Sequence, residues 1–265
     1  MIHEAKHLEG YEIKARDGAL GSVKDLYFDD QMWSVRYFVV ATGSWLSGRK
    51  VLLSAPRLTF AGPGERQLSI DATQEQVRNS PSIDTDRPVS RQQEEAMHTY
   101  YGWPYYWGTA PFAGGGFGSM AMGNVGPMLV PPPADPEQQS ARPQDTVAEE
   151  RRSKQDSHLR SMHEVRGYRI AARDGSIGEI EDFLVDDIDW RIRFLVVDTR
   201  HWLPGRKVVV APQWIQSVRW EHHDVTVDLS RGDIEQSPPY DPRQGITLND
   251  ADLVQRHYRR DREAP

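Results

Sequence analysis

The sequence predicts a mainly β protein of two small six-stranded barrels, each followed by short helices, joined by a flexible linker rich in Gly, Pro and aromatic residues. Three observations predict it. The chain is written twice: Tyr11 recurs as Tyr168, 157 positions on, and the same offset carries Asp17-Gly18 onto Asp174-Gly175, Asp29-Asp30 onto Asp186-Asp187, Trp33 onto Trp190 and Trp45 onto Trp202. Short apolar runs of strand length recur between turn residues in each copy. A Gly- and Pro-rich stretch separates the copies, and 265 residues are enough for about two domains. Repeats this regular make each copy one folding unit.

In the first copy Tyr11–Ala15 is a short strand, and Asp17-Gly18 is a tight-turn signal. Leu20–Phe28 is a longer strand whose apolar residues, Leu20, Val23, Leu26 and Phe28, change parity; a bulge at or just after Gly21 restores the alternation. Asp29–Met32 turns the chain and Trp33–Ala41 returns it. Arg49–Leu53, Leu58–Phe60 and Gln67–Ile70 complete six strands, a spacing that suits a small barrel or sandwich. Thr73 and Ser230, with Gln76 and Asp233 three residues on, open short helices that Pro81 and Pro238 stop. Ser90 and Thr247 open a second helix in each copy. The boundaries are then 1–101 for the first unit, 102–157 for the linker and 158–265 for the second unit. Within the linker the part after Ala134 is polar and expected to be mobile. YYGWPYYWG, residues 100–108, is too aromatic for a passive tether, so its rings either pack back on the chain or contact a partner.

Composition excludes several function classes. A net charge of −7 argues against direct nucleic-acid binding, which needs a basic face. Without cysteine there are no disulfides, thiolate nucleophiles or cysteine metal sites, and a reducing, cytoplasmic compartment is expected. MIHEAKHLEG has no apolar core and no cleavage site, so no signal peptide is expected. The longest uncharged stretch, Ala96–Ala134, is broken by Gly and Pro and does not read as a spanning helix.

No nucleophile–base pairing, ligand set or phosphate cradle is apparent, so no catalytic residue, metal site or cofactor is expected. Asp29-Asp30, and Asp186-Asp187 with Asp189, put two or three carboxylates in a hairpin turn, where Asp is favoured for local hydrogen bonds; calcium takes six to eight oxygens. His222-His223 has nothing nearby to complete a ligand set. Glu94 and His98 stand at i, i+4, but the aligned positions hold Ala251 and Gln255. Arg49-Lys50 and Arg206-Lys207 follow a glycine, which admits an anion loop, yet the phosphate-loop spacing is missing and a strand entry is the simpler account. Trp45 and Trp202 lie in loops, where each either plugs a barrel end or anchors a partner. Trp45, Arg49, Lys50, Trp202, Arg206 and Lys207 form the candidate partner-binding set. On the strand from Trp33, one face carries Val35, Tyr37 and Val39; the other begins polar and turns apolar at Phe38 and Val40, as it does at Leu195 and Val197 in the second copy. A wall facing water should stay polar. Phe38, Val40, Leu195 and Val197 are therefore expected to be covered, with the two units packed through them as an internal pseudo-dimer.

At GYEIKARDGALGSVKDLYFDD, WSVRYFVV and WLSGRKVLLSAP, and at the aspartate and Ser-Pro near each unit's end, the chain resembles the PRC-barrel family, in two copies and of bacterial type. The resemblance covers about residues 1–84 and 158–241. It implies six-stranded barrels used for scaffolding and protein binding rather than catalysis. In that family the module forms the cytoplasmic domain of the photosynthetic reaction-centre H subunit, and the C-terminal domain of a ribosome maturation factor that binds a ribosomal protein. The leading expectation is a non-enzymatic interaction module with a protein partner. The alternatives are a membrane-peripheral accessory of a photosynthetic or other bioenergetic complex, and a ribosome-maturation-type factor. Neither a spanning segment like that of the H subunit nor a preceding domain like that of the maturation factor is expected here.

Overall fold

The computed structural model describes residues 1–62, 64–81, 89–107, 158–199, 202–204 and 206–263. Residues 1–89 together with 157–265 form one compact unit, and residues 90–156 form another. Within the larger unit the first half, up to Val89, holds β1 (Ile2–Glu4), α1 (Ala5–Leu8), β2 (Glu12–Ala15), β3 (Gly18–Asp29), β4 (Ser34–Ala41), β5 (Lys50–Ser54), β6 (Leu58–Phe60), β7 (Gln67–Ile70) and α2 (Gln74–Arg78). The smaller unit contributes α3 (Arg91–Tyr101). The second half, from His158, holds β8 (Leu159–Ser161), α4 (Met162–Val165), β9 (Arg169–Ala172), β10 (Gly175–Asp186), β11 (Ile192–Asp198), β12 (Lys207–Val210), β13 (Ile215–Arg219), β14 (Asp224–Val227), α5 (Arg231–Gln236) and α6 (Leu248–Glu263).

The fold is mainly β and has two sheets of seven strands, not the six expected. One runs β5-β4-β3-β2-β7-β6, and the other β12-β11-β10-β9-β14-β13. Pairing is antiparallel except for β2 with β7 and β9 with β14. No ladder joins β5 to β6 among the described residues, so the sheet is an open path; only Ala55–Arg57 separates these two strands in the chain. The seventh strand comes from the opposite half. β1 adds to β10, with Ile2 opposite Asp186, and β8 adds to β3, with Leu159 opposite Asp29. Both members of each pair are displaced by the repeat offset, so the exchange is reciprocal. Each exchanged strand is only three residues long, too short to carry a periodic signal in the sequence.

Around Gly21 the ladder slips twice, between Ala19 and Gly21 on the β2 side and between Val23 and Asp25 on the β4 side. These slips set which residues share a face. Val23, Val40 and Val51 line up across three strands, as do Leu26, Phe38 and Leu53. Together with Ile13 and Leu68 they belong to the apolar core of the larger unit. Tyr37 and Val39 point to the opposite face and are also buried. In the second half the corresponding face is covered by α6: the Tyr258 hydroxyl donates to the Val209 carbonyl at 3.3 Å, and its ring lies 4.6 Å from that of Trp214. Burial on both faces explains why β4 and β11 read as nearly unbroken apolar runs.

The helix starts are set by the expected caps. Thr73 with Gln76, Ser90 with Gln93 and Ser230 with Asp233 each make a reciprocal capping box. In the smaller unit α3 ends at Gly102 in the left-handed conformation, and the aromatic stretch up to Trp107 folds back on the helix. His98 is ringed by Trp103, Tyr105, Tyr106 and Trp107, with its Nδ1 2.9 Å from the Pro104 carbonyl, and burial lowers its pKa. Arg91 lies over Trp107 at 4.3 Å and pairs with the buried Glu94 at 3.1 Å. The remainder of the segment expected to be a linker lies outside the described residues.

Candidate functional site

The seam between the two halves is built from positions that repeat at the 157-residue offset. Each exchanged arm is a strand followed by a one-turn helix, too short to be stable alone. An aspartate of the opposite half, buried at Asp182 and partly buried at Asp25, holds each turn. Asp182 accepts the Lys6 backbone N–H at 3.2 Å, at the start of α1. Asp25, its equivalent, accepts the His163 N–H at 3.1 Å, at the start of α4, and the Ser161 hydroxyl at 2.5 Å. A carboxylate at a helix start satisfies donors that the helix leaves open. Burial raises the pKa of both carboxyls, against the hydrogen bonds from Ser161 and His163 at Asp25 and the Arg166 charge at Asp182.

The hairpin turns meet at the middle of the seam. Val35 N–H donates to the Trp190 carbonyl and Ile192 N–H to the Trp33 carbonyl, both at 2.8 Å, and Ser34 bridges to its own repeat equivalent, Arg191. Trp33 and Trp190 both take positive φ, at 50° and 57°. Bulky residues rarely adopt this conformation, and here it turns both carbonyls toward the opposite half. Rings continue the contact. Phe38 meets Trp190 edge-on at 5.0 Å, Trp190 stacks on Phe60, and Phe28 lies 5.6 Å from Phe183.

Phe38, Val40, Leu195 and Val197 are all fully buried. The ladder places Phe38 and Val40 on the face carrying their own half's core, and Phe38 also reaches Trp190 across the seam. The outward apolar face is instead that of Tyr37 and Val39; the ladder passes from Tyr27–Tyr37 to Phe28–Val35, leaving Arg36 as an extra residue that puts Val35 on the same core side as Phe38.

The repeated Trp-Leu-x-Gly-Arg-Lys stretch is a loop that latches a helix end. Thr42 donates its hydroxyl to the Arg49 carbonyl, and Thr199 to that of Arg206, both at 2.6 Å, closing the loop at its base. The Arg49 guanidinium then spans to the end of α2, donating to the carbonyls of Arg78, Ser80 and Pro81 at 3.2, 2.9 and 2.9 Å. Arg206 does the same to Ser237, after α5. The repeated Ser-Pro belongs to this device, since Ser80 and Ser237 each donate a hydroxyl bond of 2.8 Å back into the helix. Lys207 pairs with Glu181 at 2.6 Å, whereas the aligned positions of the first half, Lys50 and Lys24, are both basic. Trp202 is half-buried, with Arg231 over its ring at 4.6 Å; the side chain of Trp45 lies outside the described residues. Alanine at Arg49 leaves helix-end carbonyls without their donor and is expected to cost about 1–3 kcal/mol. Lysine is expected not to rescue it, because one ammonium cannot span three carbonyls. Chemical denaturation of both variants checks this.

The first aspartate of each pair acts locally, whereas the second holds the exchanged arm of the other half: Asp30 accepts the Arg160 Nε–H at 2.9 Å, and Asp187 lies 2.9 Å from His3 Nε2. Asp29 accepts the Gln31 and Met32 N–H groups and pairs with Arg36, and Asp186 accepts the Ile188 N–H and pairs with Arg193 at 2.7 Å. No group of three or more acidic or histidine residues suited to a metal occurs among the described residues. His223 stacks on Tyr168 at 4.6 Å. No described helix is long and apolar enough to cross a membrane.

No family model matches the chain, and no curated protein matches it. The PRC-barrel resemblance rests on the motifs quoted above.

From the sequence, Asp17, Asp25 and their counterparts read as turn and barrel-rim carboxylates, and Glu9, Arg166 and the two arms are passed over. A signal for them existed: Asp25 and Asp182 repeat at the 157-residue offset within β3 and β10, and the pairs Ile2/Leu159 and Gly10/Gly167 extend the repeat to the arms.

Proposed function

We propose that this protein is a non-enzymatic interaction module of the tandem PRC-barrel type. In this reading its halves act as an internal pseudo-dimer and present one combined surface to a protein partner in the cytoplasm. The observation that carries it is the reciprocal exchange of β1 and β8. The exchange commits both arms, both hairpin turns and the equivalent aspartates Asp25 and Asp182 to fixing the two halves together. A platform of fixed geometry with duplicated surfaces suits a scaffold, because a partner then meets a preorganised face.

The best-placed contact residues lie at the equivalent hairpin turns, where Ile188 is 78% and Met32 56% exposed. Large apolar side chains this exposed offer area to a partner. Replacing both by Asp is expected to leave thermal stability within about 0.5 kcal/mol, since both are surface positions. The same variant is expected to abolish saturable capture of a protein from the soluble extract of the source cells. A partner found in the membrane pellet would favour the bioenergetic alternative, and one that sediments with ribosomal subunits the maturation alternative. Undiminished capture would remove the hairpin turns from the binding surface.

A further inference from the structure

The seam is reciprocal in backbone but not in charge. Glu9 and Arg166 are equivalent positions of the repeat, yet they pair with each other, so this spot faces its own counterpart across the seam. Arg166 also lies 3.2 Å from Asp182. The arms differ in the same sense. The second half brings Ser161, which donates to Asp25 at 2.5 Å; the first brings Glu4, whose charge opposes ionisation of Asp182 and whose carboxylate accepts the Tyr240 hydroxyl. Around Asp25, then, stand Ser161 and His163; around Asp182 stand Lys6, Glu4 and Arg166.

We infer that this seam is a heterotypic recognition surface: the first half accepts the arm carrying Ser161 and Arg166 and rejects a second copy of its own arm. The inference rests on the pseudo-dimer reading. Pairing two first halves in this geometry would gather Asp25, Glu4 and Glu9 from each copy with no guanidinium to answer them, since Lys6 meets the aspartate through its backbone N–H and His7 lies 3.5 Å from Glu4. Carboxylates buried without partners are expensive and repel one another. Pairing two second halves would bring Asp182 and Arg166 from each copy, which balance. The exclusion therefore lies on the side of the first half, and Arg166 is the selecting residue. Discrimination by repulsion against the wrong partner, added to attraction for the right one, is how specificity is built at interfaces. In a face that meets its own equivalent, one acid and one base at the self-facing position achieve it.

The full-length chain tests this with hydrogen exchange of Ile2–Glu4 and Leu159–Ser161. Ser161→Glu with Arg166→Glu writes the first arm's chemistry onto the second half. Ser161→Gln with Arg166→Gln is the uncharged control of matched shape. The acidic variant is expected to lose protection at Leu159–Ser161 by about tenfold or more relative to the control, as expected when a buried charge loses its partner. Adding Glu9→Arg to Arg166→Glu is expected to recover part of the loss caused by Arg166→Glu alone, which a purely steric role would not allow. Equal protection in the acidic variant and its control would overturn the inference, and so would failure of Glu9→Arg to rescue. Arms unprotected in the wild-type chain would overturn the pseudo-dimer reading and this inference with it. Arms protected in both the wild type and the acidic variant would overturn this inference alone.

Discussion

Gly21→Ala is expected to cost roughly 3–5 kcal/mol, at the upper end for a single substitution. Gly21 has φ of +146°, and a Cβ there would lie 1.9 Å from the Ala41 carbonyl oxygen and 2.8 Å from its carbon. The obstacle is backbone, so no rotamer change relieves it. Nor can the carbonyl swing away easily, because Ala41 is held in the ladder opposite Ser22 and Lys50. Gly178, the equivalent residue, has φ of +148° and would meet the Asp198 oxygen at 2.0 Å, so Gly178→Ala should cost a similar amount. Gly48 provides the comparison. Its φ is +72°, but nothing lies within 4 Å of a Cβ there, so alanine pays only the left-handed penalty of about 1–2 kcal/mol. Urea denaturation of the three variants measures the difference. Equal costs at Gly21 and Gly48 would show that the close approach to Ala41 does not matter.

Phe38→Ala is expected to cost about 3–5 kcal/mol and Leu195→Ala about 2–5 kcal/mol, as for large core side chains removed from sites that collapse only partly. Phe38 is fully buried between Leu26 and Leu53 along the ladder and touches Trp190 of the other half edge-on. Because both halves share one compact unit and one apolar cluster, either loss should appear in a single transition that includes both sheets. Calorimetry distinguishes the cases. Two transitions, with only the first shifted by Phe38→Ala, would show that the halves unfold independently and that the exchanged arms do not couple them.

Much of the fold was legible because turns, caps and bulges are local chemistry. Asp17-Gly18, the Thr73 and Ser230 caps and the irregularity at Gly21 each depend on a few neighbouring residues, and the duplication doubled every signal. The site was less legible. Arg49 and Arg206 stood out as repeated cations, but their targets, carbonyls after α2 and α5, lie about 30 residues further along the chain. Parity along β4 placed Phe38 and Val40 on an outer face, whereas the ladder sets them opposite Leu26 and Val23 and an extra residue at Arg36 breaks the alternation between Val35 and Tyr37. Facing is a property of the whole ladder, so one strand's pattern cannot determine it.

By itself the sequence determined that one β unit is written twice, where its hairpins turn and where its helices begin, since dihedral preference and side-chain capping act over a few residues. Only the tertiary structure decided that each N-terminal strand joins the other copy's sheet. A three-residue strand has the same propensity on either sheet, and the choice rests on contacts spanning more than a hundred residues, among them Asp25 with His163 and Asp182 with Lys6. That Glu9 should meet Arg166 was equally hidden, because a position that faces its own counterpart becomes visible only when both copies are folded together.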